Sequence, residues 1–456
     1  MSSGTTKQIT FDGEKNKIIN GITDWVYEEE FAFVRAFEWN ASSNKIAFIR
    51  FDETNVPQFS MDIYGTELYQ TQEVFKYPKA GETNADVSLH FYDLSSDNIS
   101  SVPLTKDYND FYIPRIKWTK DPDVLSAQYM NRHQNSLDLW LINPETEDAN
   151  LVLSETDDAY VDVTDNLTFL EDNSFLWTSE RDGFNHLYHY SKTGQLKNQI
   201  TKGDWEVTAY YGYNELANTI YYQSVENGSI NRDVYSIRLN GKRKKRLTLK
   251  EGTNEASFSA DFTYFINTFS SANIPTKYSL HDSKTGRLVR NIKDNSALLT
   301  TLSNYKYSNK EFSTLNVNGN ELNMWMLKPA DFDATKSYPL LMFQYSGPGS
   351  QQVANKWNNS RDYWHQYLAQ QGYIVACVDG RGTGFKGADF KKVTYLNLVK
   401  FETEDQIQAA NKIGSLPYID ATRIGIWGWS FGGHMSTNCL LKGNEVFKMA
   451  IAVAPV

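Results

Sequence analysis

The amino-acid sequence predicts two kinds of architecture in succession, a β-propeller followed by an α/β layer with a parallel sheet. Up to about residue 300, short β-prone runs and polar turns recur with a period of about 45 residues, the size of a four-stranded propeller blade. From about residue 301, buried β runs that end in glycine loops alternate with helix-like runs. We therefore expect a partial propeller over residues 1–300 and a partial α/β region over residues 301–456.

Three successive segments carry the repeat most clearly, at residues 174–207, 219–252 and 263–295. Each contains a β run, a polar turn, a second β run with tyrosine near its end, a glycine turn and a closing strand. Residues 37–53 and 116–132 resemble the inner strands of two more such segments. The sequence thus predicts four to five blades, and a pair of β-sandwiches is the alternative.

Composition narrows the class of protein further. A chain of 456 residues suggests two or more domains, and an aromatic content of 14% favours β-rich structure over disorder. The net charge of −10 argues against nucleic-acid binding. The one basic run, residues 241–247, follows Asn240 in an Asn-Gly pair that is typical of a hairpin turn. We expect its lysines to form a solvated loop.

No cofactor or metal site is predicted. The two cysteines, Cys377 and Cys439, give no disulfide framework, and no zinc-ligand spacing is present. His186 and His189 lie in a strand-like run and are expected to be ordinary strand residues. No run approaches 18 apolar residues, and the first residues lack the hydrophobic core of a signal peptide.

The stretch RIGIWGWSFGGHMS, residues 423–436, carries the most chemical information. Gly428 to Gly432 fit G-x-S-x-G, with a β-prone run before them and a helix-like run after them, as in the nucleophile elbow of an α/β-hydrolase. This context predicts that residues 301–456 are the N-terminal part of an α/β-hydrolase domain, ending after the elbow. It also predicts that Ser430 is a nucleophile and that the backbone N–H of Phe431 helps to bind an oxyanion. A plain glycine turn is the alternative.

The acid and the base that such a serine needs are not evident. In this fold class they follow the serine in the order Asp or Glu, then His. After Ser430 the sequence holds no Asp, one Glu (Glu445) and one His (His434). His434 falls in the helix that leaves the elbow, so we expect it to be structural. We therefore expect this chain to be a fragment that is inactive by itself.

Six segments occur in order along the chain: GITDWVYEEEF (21–31), YPKAGETN (77–84), DNSALL (294–299), YPLLMFQYSGPGSQ (338–351), DGRGTGFKG (379–387) and IGIWGWSFGGHMS (424–436). Together they resemble the dipeptidyl peptidase IV family, in its bacterial form, of the prolyl oligopeptidase clan of serine peptidases. The similarity runs nearly end to end but covers only the middle of a family member, which implies a fragment lacking both ends.

The resemblance implies catalytic roles for three residues. Ser430 would attack the scissile carbonyl, and the oxyanion would be bound by the Tyr345 hydroxyl and the Phe431 N–H. Many relatives have Tyr where Phe431 stands, and a backbone role survives that difference. Without the resemblance, Tyr345 would be more typical of a core or strand-end tyrosine. Asp379 and Arg381 are expected only to hold their loop together.

The resemblance also implies a substrate-binding set. Glu29 and Glu30 would form charge-assisted hydrogen bonds to the free N-terminal ammonium of a peptide, so that the second peptide bond meets the serine. Such an enzyme is an exopeptidase that counts two residues, and the family prefers Pro or Ala as the second. Trp429 would contact the substrate. From composition alone, the acidic triplet Glu28–Glu30 is more typical of a solvated surface.

The leading hypothesis is a serine dipeptidyl peptidase that releases X-Pro or X-Ala dipeptides from peptides with a free N-terminus. The family resemblance further implies a periplasmic or extracellular location and a homodimer in the complete protein. The alternatives are a non-catalytic propeller that binds peptides and another hydrolase of the same clan. Intact Ser430 and Tyr345 argue against the first, and the pair Glu29 and Glu30 argues against the second.

Overall fold

The computed structural model describes residue 4, residues 6–358 and residues 360–456. The chain divides into two compact units, Met1–Trp177 with His189–Lys197, and Thr178–Tyr188 with Asn198–Val456. The first unit contains the acidic segment around Glu29, and the second contains the elbow at Ser430. The predicted domain boundary near residue 300 is a boundary between fold types and stays a prediction.

The N-terminal third consists of antiparallel strands and one short helix. The β-branched and aromatic residues that fill these strands are those that favour a pleated, half-buried surface. The elements in chain order are β1 (Ile18–Asn20), α1 (Trp25–Glu29), β2 (Phe37–Trp39), β3 (Lys45–Asp52), β4 (Gln58–Ile63), β5 (Thr71–Lys76), β6 (Asp86–Asp93), β7 (Asn98–Ser100), β8 (Phe111–Trp118), β9 (Leu125–Asn131), β10 (Ser136–Asn143) and β11 (Asp148–Thr156).

The next part of the chain repeats four-stranded antiparallel sheets. Glycine and asparagine turns separate the strands, as the repeat predicts. The strands are β12 (Thr168–Phe169), β13 (Phe175–Ser179), β14 (His186–Tyr190), β15 (Leu196–Gln199), β16 (Val207–Asn214), β17 (Thr219–Ser224), β18 (Asp233–Arg238), β19 (Lys245–Arg246), β20 (Thr253–Phe258), β21 (Tyr264–Ser271), β22 (Ile274–Asp282) and β23 (Leu288–Lys293).

Strand order confirms the predicted propeller class. In four sheets, β8–β11, β12–β15, β16–β19 and β20–β23, neighbours in space are neighbours in sequence. Such meanders are typical of propeller blades, whereas a sandwich of the immunoglobulin type has Greek-key connections. The first sheet has the order β1-β3-β6-β7, with β2 paired to β3, and β4 and β5 form a separate hairpin. The described residues thus contain five blade-like sheets.

The C-terminal part alternates strands and helices, as predicted. Its hairpin turns at Asn318 and Gly319, whose φ angles of 52° and 84° suit the type I′ turn that an Asn-Gly pair favours. The elements are α2 (Ser296–Leu302), β24 (Lys310–Val317), β25 (Asn320–Leu327), β26 (Tyr338–Phe343), α3 (Ser360–Gln370), β27 (Ile374–Asp379), α4 (Ala388–Lys392), α5 (Lys400–Gly414), β28 (Ile419–Trp429), α6 (Phe431–Lys442) and β29 (Met449–Val453).

One six-stranded sheet organises this part, with the order β24-β25-β27-β26-β28-β29. The pairs β26–β27, β26–β28 and β28–β29 are parallel. The carboxyl ends of parallel strands meet at one edge of a sheet, which is where ligands bind in open α/β sheets. Strands β26, β27 and β28 therefore bring the residues that follow them to a common edge. The predicted α/β-hydrolase class is confirmed.

Apolar side chains cover both faces of this sheet. Along β26, Leu340 and Met342 join one buried cluster, while Leu341 and Phe343 join another. This alternation is the period-two pattern of a strand that is buried on both faces. Cys439 and Cys377 belong to the two different clusters, and both thiols are free.

His186 and His189 lie in strand β14, as predicted, whereas the basic run is only partly a loop, because Lys245 and Arg246 form β19. His186 lies in β14 and bonds Thr201 Oγ1 (3.0 Å) and the Gly203 carbonyl (2.9 Å) through its two ring nitrogens. The basic run follows a turn with Gly241 at φ 74°, and four of its five cationic residues are exposed. Among the described residues, no helix is long and apolar enough to cross a membrane.

Candidate active site

The turn that carries Ser430 joins strand β28 to helix α6. The strand ends at Trp429 and the helix begins at Phe431, so the predicted strand–turn–helix context is present. Ser430 has φ 56° and ψ −122°, a backbone conformation that residues with a side chain rarely adopt. Holding it costs about 1–3 kcal/mol, which the surrounding packing must offset. Ser430 thus lies on the sharp, strained elbow that exposes a nucleophile.

Two glycines of the motif let the elbow pack against the end of β26. A side-chain carbon on Gly432 would lie 2.7 Å from the Gln344 carbonyl oxygen and 3.1 Å from Tyr345 Cα. A side-chain carbon on Gly428 would lie 2.6 Å from the Gly432 carbonyl oxygen. Both distances are well inside van der Waals contact, so a larger residue would push backbone segments apart. Glycine is therefore needed at positions 428 and 432, because backbone segments approach each other closely there.

The main chain of Ser430 is fully engaged. Its N–H donates to the Val453 carbonyl (2.9 Å), and its own carbonyl accepts from the N–H groups of Gly433 (2.8 Å) and His434 (3.1 Å). Within the described part of the chain, its hydroxyl makes no hydrogen bond. The N–H of Phe431 is one of the first in α6 and has no partner within the helix. A developing oxyanion beside Ser430 would meet this donor and the positive end of the helix.

Tyr345 follows β26 at the same edge of the sheet. Its ring centroid is 6.2 Å from that of Phe431, and the residue is half-buried. The ring lies over Gly347, where a side-chain carbon would be 3.1 Å from Tyr345 Cδ1 and 3.2 Å from Cζ. Gly347 therefore makes room for the ring in this orientation. The structure brings Tyr345, Phe431 and Ser430 together; a hydroxyl-to-hydroxyl approach of Tyr345 and Ser430 stays a prediction.

Trp429 and His434 flank the nucleophile candidate differently. Trp429, the last residue of β28, is 60% exposed, which leaves its indole available to a ligand. The His434 ring packs beside Phe431 on α6, with centroids 6.2 Å apart. In the described residues, His434 makes no side-chain hydrogen bond to Ser430. This placement agrees with the structural role predicted for His434.

Asp379 ends β27 and Arg381 lies in the loop that follows it, and each side chain holds a loop in place. Asp379 accepts hydrogen bonds from the N–H groups of Gln352 (3.0 Å) and Val353 (2.7 Å). Burial raises the pKa of Asp379 to about 7, against the lowering effect of these two donors. Arg381 forms an ion pair with the buried Asp405 (2.7 Å). Asp379 thus holds the loop that follows β26, and Arg381 ties the loop that follows β27 to α5. Both were predicted to hold a loop, but the partner Asp405 was not predicted.

The other candidate residues lie on helix α1, in the first compact unit. Asp24 caps the helix by accepting the Tyr27 N–H (3.0 Å). The Tyr27 side chain is 2% exposed, and its hydroxyl accepts the Ile113 N–H (2.7 Å). Its ring also packs edge-on against Phe51, 4.8 Å away. A five-residue helix is marginal by itself, so these buried contacts are what fix α1.

Three adjacent carboxylates project from the end of this helix. Glu28, Glu29 and Glu30 are exposed, and none makes an ion pair with another described residue. Unpaired carboxylates on a fixed backbone can bind an ammonium without first breaking a salt bridge. The sequence predicted no helix here, because a five-residue segment is too short to show helical periodicity. The rest of the predicted set, Ser430, Phe431, Trp429 and Tyr345, lies in the second unit.

Two buried glutamines next to Tyr345 escape the sequence-based prediction. Gln344 is 1% exposed and Gln406 is fully buried. Gln344 ends the apolar run of β26, and a polar residue buried at a strand end requires a hydrogen-bond partner. That signal is visible in the sequence, but the partner is 88 residues away.

Two protein-family models match this chain. The family model of the dipeptidyl peptidase IV (DPP IV) N-terminal region matches residues 1–276, and that of the prolyl oligopeptidase family matches residues 359–456. A probable dipeptidyl-aminopeptidase B of Pyrenophora teres f. teres is 34% identical over all of this chain and 54% of its own length. A probable dipeptidyl peptidase 4 of Aspergillus flavus is 30% identical, with 61% of its length covered.

A solved structure extends the comparison to three dimensions. The crystal structure of Porphyromonas gingivalis dipeptidyl peptidase 4 superposes with a TM-score of 0.95 at 46% identity. The match covers 99% of this chain and 64% of that one. The chain spans about half the length of the curated relatives it matches. With an N-terminal family model over more than half of its residues and a serine elbow in the α/β part, the chain belongs to the dipeptidyl peptidase IV family of the prolyl oligopeptidase clan.

Proposed function

We propose that this chain supplies the nucleophile and the amine-binding carboxylates of a serine exopeptidase that releases N-terminal dipeptides. The observation that carries the proposal is the strained, tightly packed elbow at Ser430, with Tyr345 and the Phe431 N–H beside it. Membership of a dipeptidyl peptidase family supports the same reaction class. The preference for Pro or Ala as the second residue is part of the proposal and rests on the family resemblance.

Ser430 starts the reaction. Its Oγ attacks the carbonyl carbon of the second substrate residue, and the oxyanion that forms accepts hydrogen bonds from the Phe431 N–H and the Tyr345 hydroxyl. Collapse of this intermediate expels the amine of the remaining peptide and leaves a dipeptidyl ester on Ser430, which water then hydrolyses. The Ser430 proton passes to a histidine base, which then donates it to the departing amine. His434 is not that base in the proposal, because it packs along α6 beside Phe431.

The carboxylates of Glu29 and Glu30 determine which peptide bond is cleaved. Each accepts a charge-assisted hydrogen bond from the free N-terminal ammonium of the peptide. Fixing that ammonium fixes which carbonyl meets Ser430, namely the second. An acetylated N-terminus has no positive charge and one N–H, so it loses this anchor. The homodimer and the exported location expected from the resemblance stay predictions.

The test uses the full-length enzyme that contains this chain. Peptides that begin Gly-Pro and Gly-Ala are offered with a free or an acetylated N-terminus, and the products are identified by mass spectrometry. The proposal expects an intact dipeptide from the free peptides and negligible cleavage of the acetylated ones. Release of single amino acids, internal cleavage, or equal cleavage of acetylated peptides would refute it. A free peptide that begins Gly-Leu, offered alongside, tests the specificity: faster cleavage of it than of the Gly-Pro and Gly-Ala peptides would refute the Pro or Ala preference alone.

A further inference from the structure

A buried glutamine links the Tyr345 segment to the elbow. The Gln344 side chain donates from Nε2 to the Gly432 carbonyl (2.7 Å) and to Ser436 Oγ (3.0 Å). Ser436 Oγ in turn donates to the same carbonyl (2.8 Å). All of these groups lie in the first turns of α6, directly after Ser430. The side chain of the residue before Tyr345 is therefore bonded to the helix that carries the Phe431 N–H.

The orientation of this amide is fixed by its partners. The Gly432 carbonyl can only accept hydrogen bonds, so the nitrogen of Gln344 must face it. The other end, Gln344 Oε1, is buried and has no hydrogen-bond partner among the described residues. Leaving a buried amide oxygen unpaired costs free energy. Gln344 is thus held here for its donor side, at some cost in stability.

The main chain of Gln344 contacts the elbow as well. Its N–H donates to the Trp427 carbonyl (3.1 Å), and its carbonyl oxygen fills the space that a side chain on Gly432 would occupy. Gln344 therefore contacts both strand β28, which leads into the elbow, and helix α6, which follows it. Such contacts set the spacing between the Tyr345 segment and Ser430.

The residue after Tyr345 is anchored in the same way. Ser346 is 2% exposed and has φ 63°, and its Oγ accepts a hydrogen bond from Gln406 Nε2 (3.4 Å). Gln406 Nε2 also donates to the Val378 carbonyl at the end of β27 (2.8 Å). Tyr345 is thus a half-buried residue between two fully buried, bonded neighbours. The stronger of the two anchors, by hydrogen-bond length, is Gln344.

We propose that Gln344 is a positioning residue of the oxyanion hole, which holds Tyr345 and the Phe431 N–H in register through its hydrogen bond to Gly432. The inference rests on the proposed function. Gln344 touches no substrate in this account and acts through the two donors. Because misplacement by about 1 Å can cost roughly 100-fold in rate, losing the register should lower kcat and leave KM nearly unchanged.

The kinetic test replaces Gln344 by Met, which has a similar volume and no N–H donor, in the full-length enzyme. Gln344→Met is expected to lower kcat for Gly-Pro-p-nitroanilide by about 10-fold or more, with KM within about twofold. The matched control is Gln366→Met. Gln366 is also buried and its Nε2 also donates to a backbone carbonyl, that of Ser308 (2.6 Å), but it lies on α3. An equal fall in kcat for both variants would overturn the inference.

A double variant separates positioning from general damage. If Gln344 acts through Tyr345, then Tyr345→Phe removes most of what Gln344 contributes, and the two effects are strongly non-additive. Fully multiplicative effects on kcat would mean that Gln344 does not act through Tyr345, which overturns the inference. Tyr345→Phe itself should cost on the order of 10²–10³ in kcat, as for a lost oxyanion donor.

Hydrogen exchange decides the question without catalysis. In Gln344→Met, the amides of residues 345–347 and 431–433 should exchange faster than in the wild type, and in Gln366→Met they should not. Unchanged exchange in Gln344→Met would refute the link between the two segments. This outcome does not depend on which substrate the enzyme cleaves. A wild-type enzyme that releases no dipeptide, combined with the expected exchange, would refute the proposed function and retain only the structural link.

Discussion

The elbow at Ser430 and the helix α1 both present chemical groups, but they are supported in opposite ways. At the elbow, the main chain is crowded: Gly428 and Gly432 have no room for a side chain, and Ser430 is strained. On α1, the carboxylates of Glu29 and Glu30 stand in solvent, and the support comes from buried side chains beneath the helix. One site depends on backbone contact and the other on side-chain anchors.

This difference predicts how each region responds to substitution. Adding an atom at the elbow should disturb packing, because the neighbouring atoms are backbone and cannot rotate away. Changing an exposed carboxylate on α1 should leave packing intact and alter only charge. Stability and activity should therefore change together at the glycines of the elbow and separately at the glutamates of α1.

The largest effect on activity is expected from substitution of Ser430. Ser430→Ala in the full-length enzyme is expected to lower kcat by about 10⁴–10⁶, because no acyl-enzyme can form without the hydroxyl. Folding should be unaffected, since the hydrogen bonds of Ser430 to Val453, Gly433 and His434 are all made by its main chain. Steady-state release of p-nitroaniline gives the rate, and amide exchange in α6 reports folding. A variant that keeps about 1% or more of the wild-type kcat would exclude Ser430 as nucleophile.

The next largest effect on activity is expected from neutralising one of the two carboxylates, Glu29 or Glu30, at the end of α1. Glu29→Gln and Glu30→Gln should each lower kcat/KM for a free-amine dipeptide substrate by about 10- to 100-fold, the range for losing a hydrogen bond to a charged group. Glu28→Gln is the matched control, with the same charge change on the same exposed helix. It should alter kcat/KM by less than about twofold. If the control falls as far as the other two, the acidic triplet acts only as a diffuse negative surface.

Gly432 tests the packing side of the comparison. Gly432→Ala is expected to lower the opening free energy of α6 by about 1–3 kcal/mol, because the new carbon meets the Gln344 carbonyl oxygen at 2.7 Å. Native-state hydrogen exchange in α6 measures this quantity. The control is Gly65→Ala, where no atom lies within 4 Å and the change should stay within about 0.5 kcal/mol. Equal, small effects at both positions would show that the elbow is not crowded.

Asp24 tests the anchoring of α1 through an effect that depends on pH. Burial raises its pKa from 3.8 to about 6, so the folded state binds the proton more tightly than the unfolded state. The stability that protonation provides is present below about pH 4 and is lost as pH rises through 6. Asp24→Asn keeps the helix cap and removes this titration. The free energy of unfolding of the variant, relative to that of the wild type, should therefore rise by about 1 kcal/mol per pH unit between pH 4 and 6.

This pH dependence can be measured as the difference in exchange between the two proteins at the Tyr27 and Ile113 amides, at matched pH values. Comparing at equal pH removes the intrinsic pH dependence of exchange. A difference that stays flat between pH 4 and 6 would mean that the Asp24 carboxyl is solvated in the folded protein. If the wild type instead became more stable relative to the variant as the pH rises, the Asp24 carboxylate would be stabilised by a positive charge.

Local patterns predicted most of the fold. The β repeat, the Asn240-Gly241 turn and the Ser430 motif are all local patterns, so they can be recognised without knowing what packs on them. The supports of the candidate site act over long separations and could not be predicted. Tyr27 bonds Ile113 across 86 residues, and Gln344 bonds Ser436 across 92. An acidic run or a strand-end glutamine does not reveal such partners.

Our main proposal is that one enzyme uses Ser430 for chemistry and Glu29 with Glu30 to recognise a free amine. Its most direct test is the ratio of kcat/KM for Gly-Pro-p-nitroanilide to that for its N-acetyl form, in the full-length wild type and in Glu29→Gln/Glu30→Gln. We expect a ratio of about 10³ or more in the wild type that falls by at least about 100-fold in the double variant. A ratio near one in the wild type, or one that survives the double substitution, would contradict it.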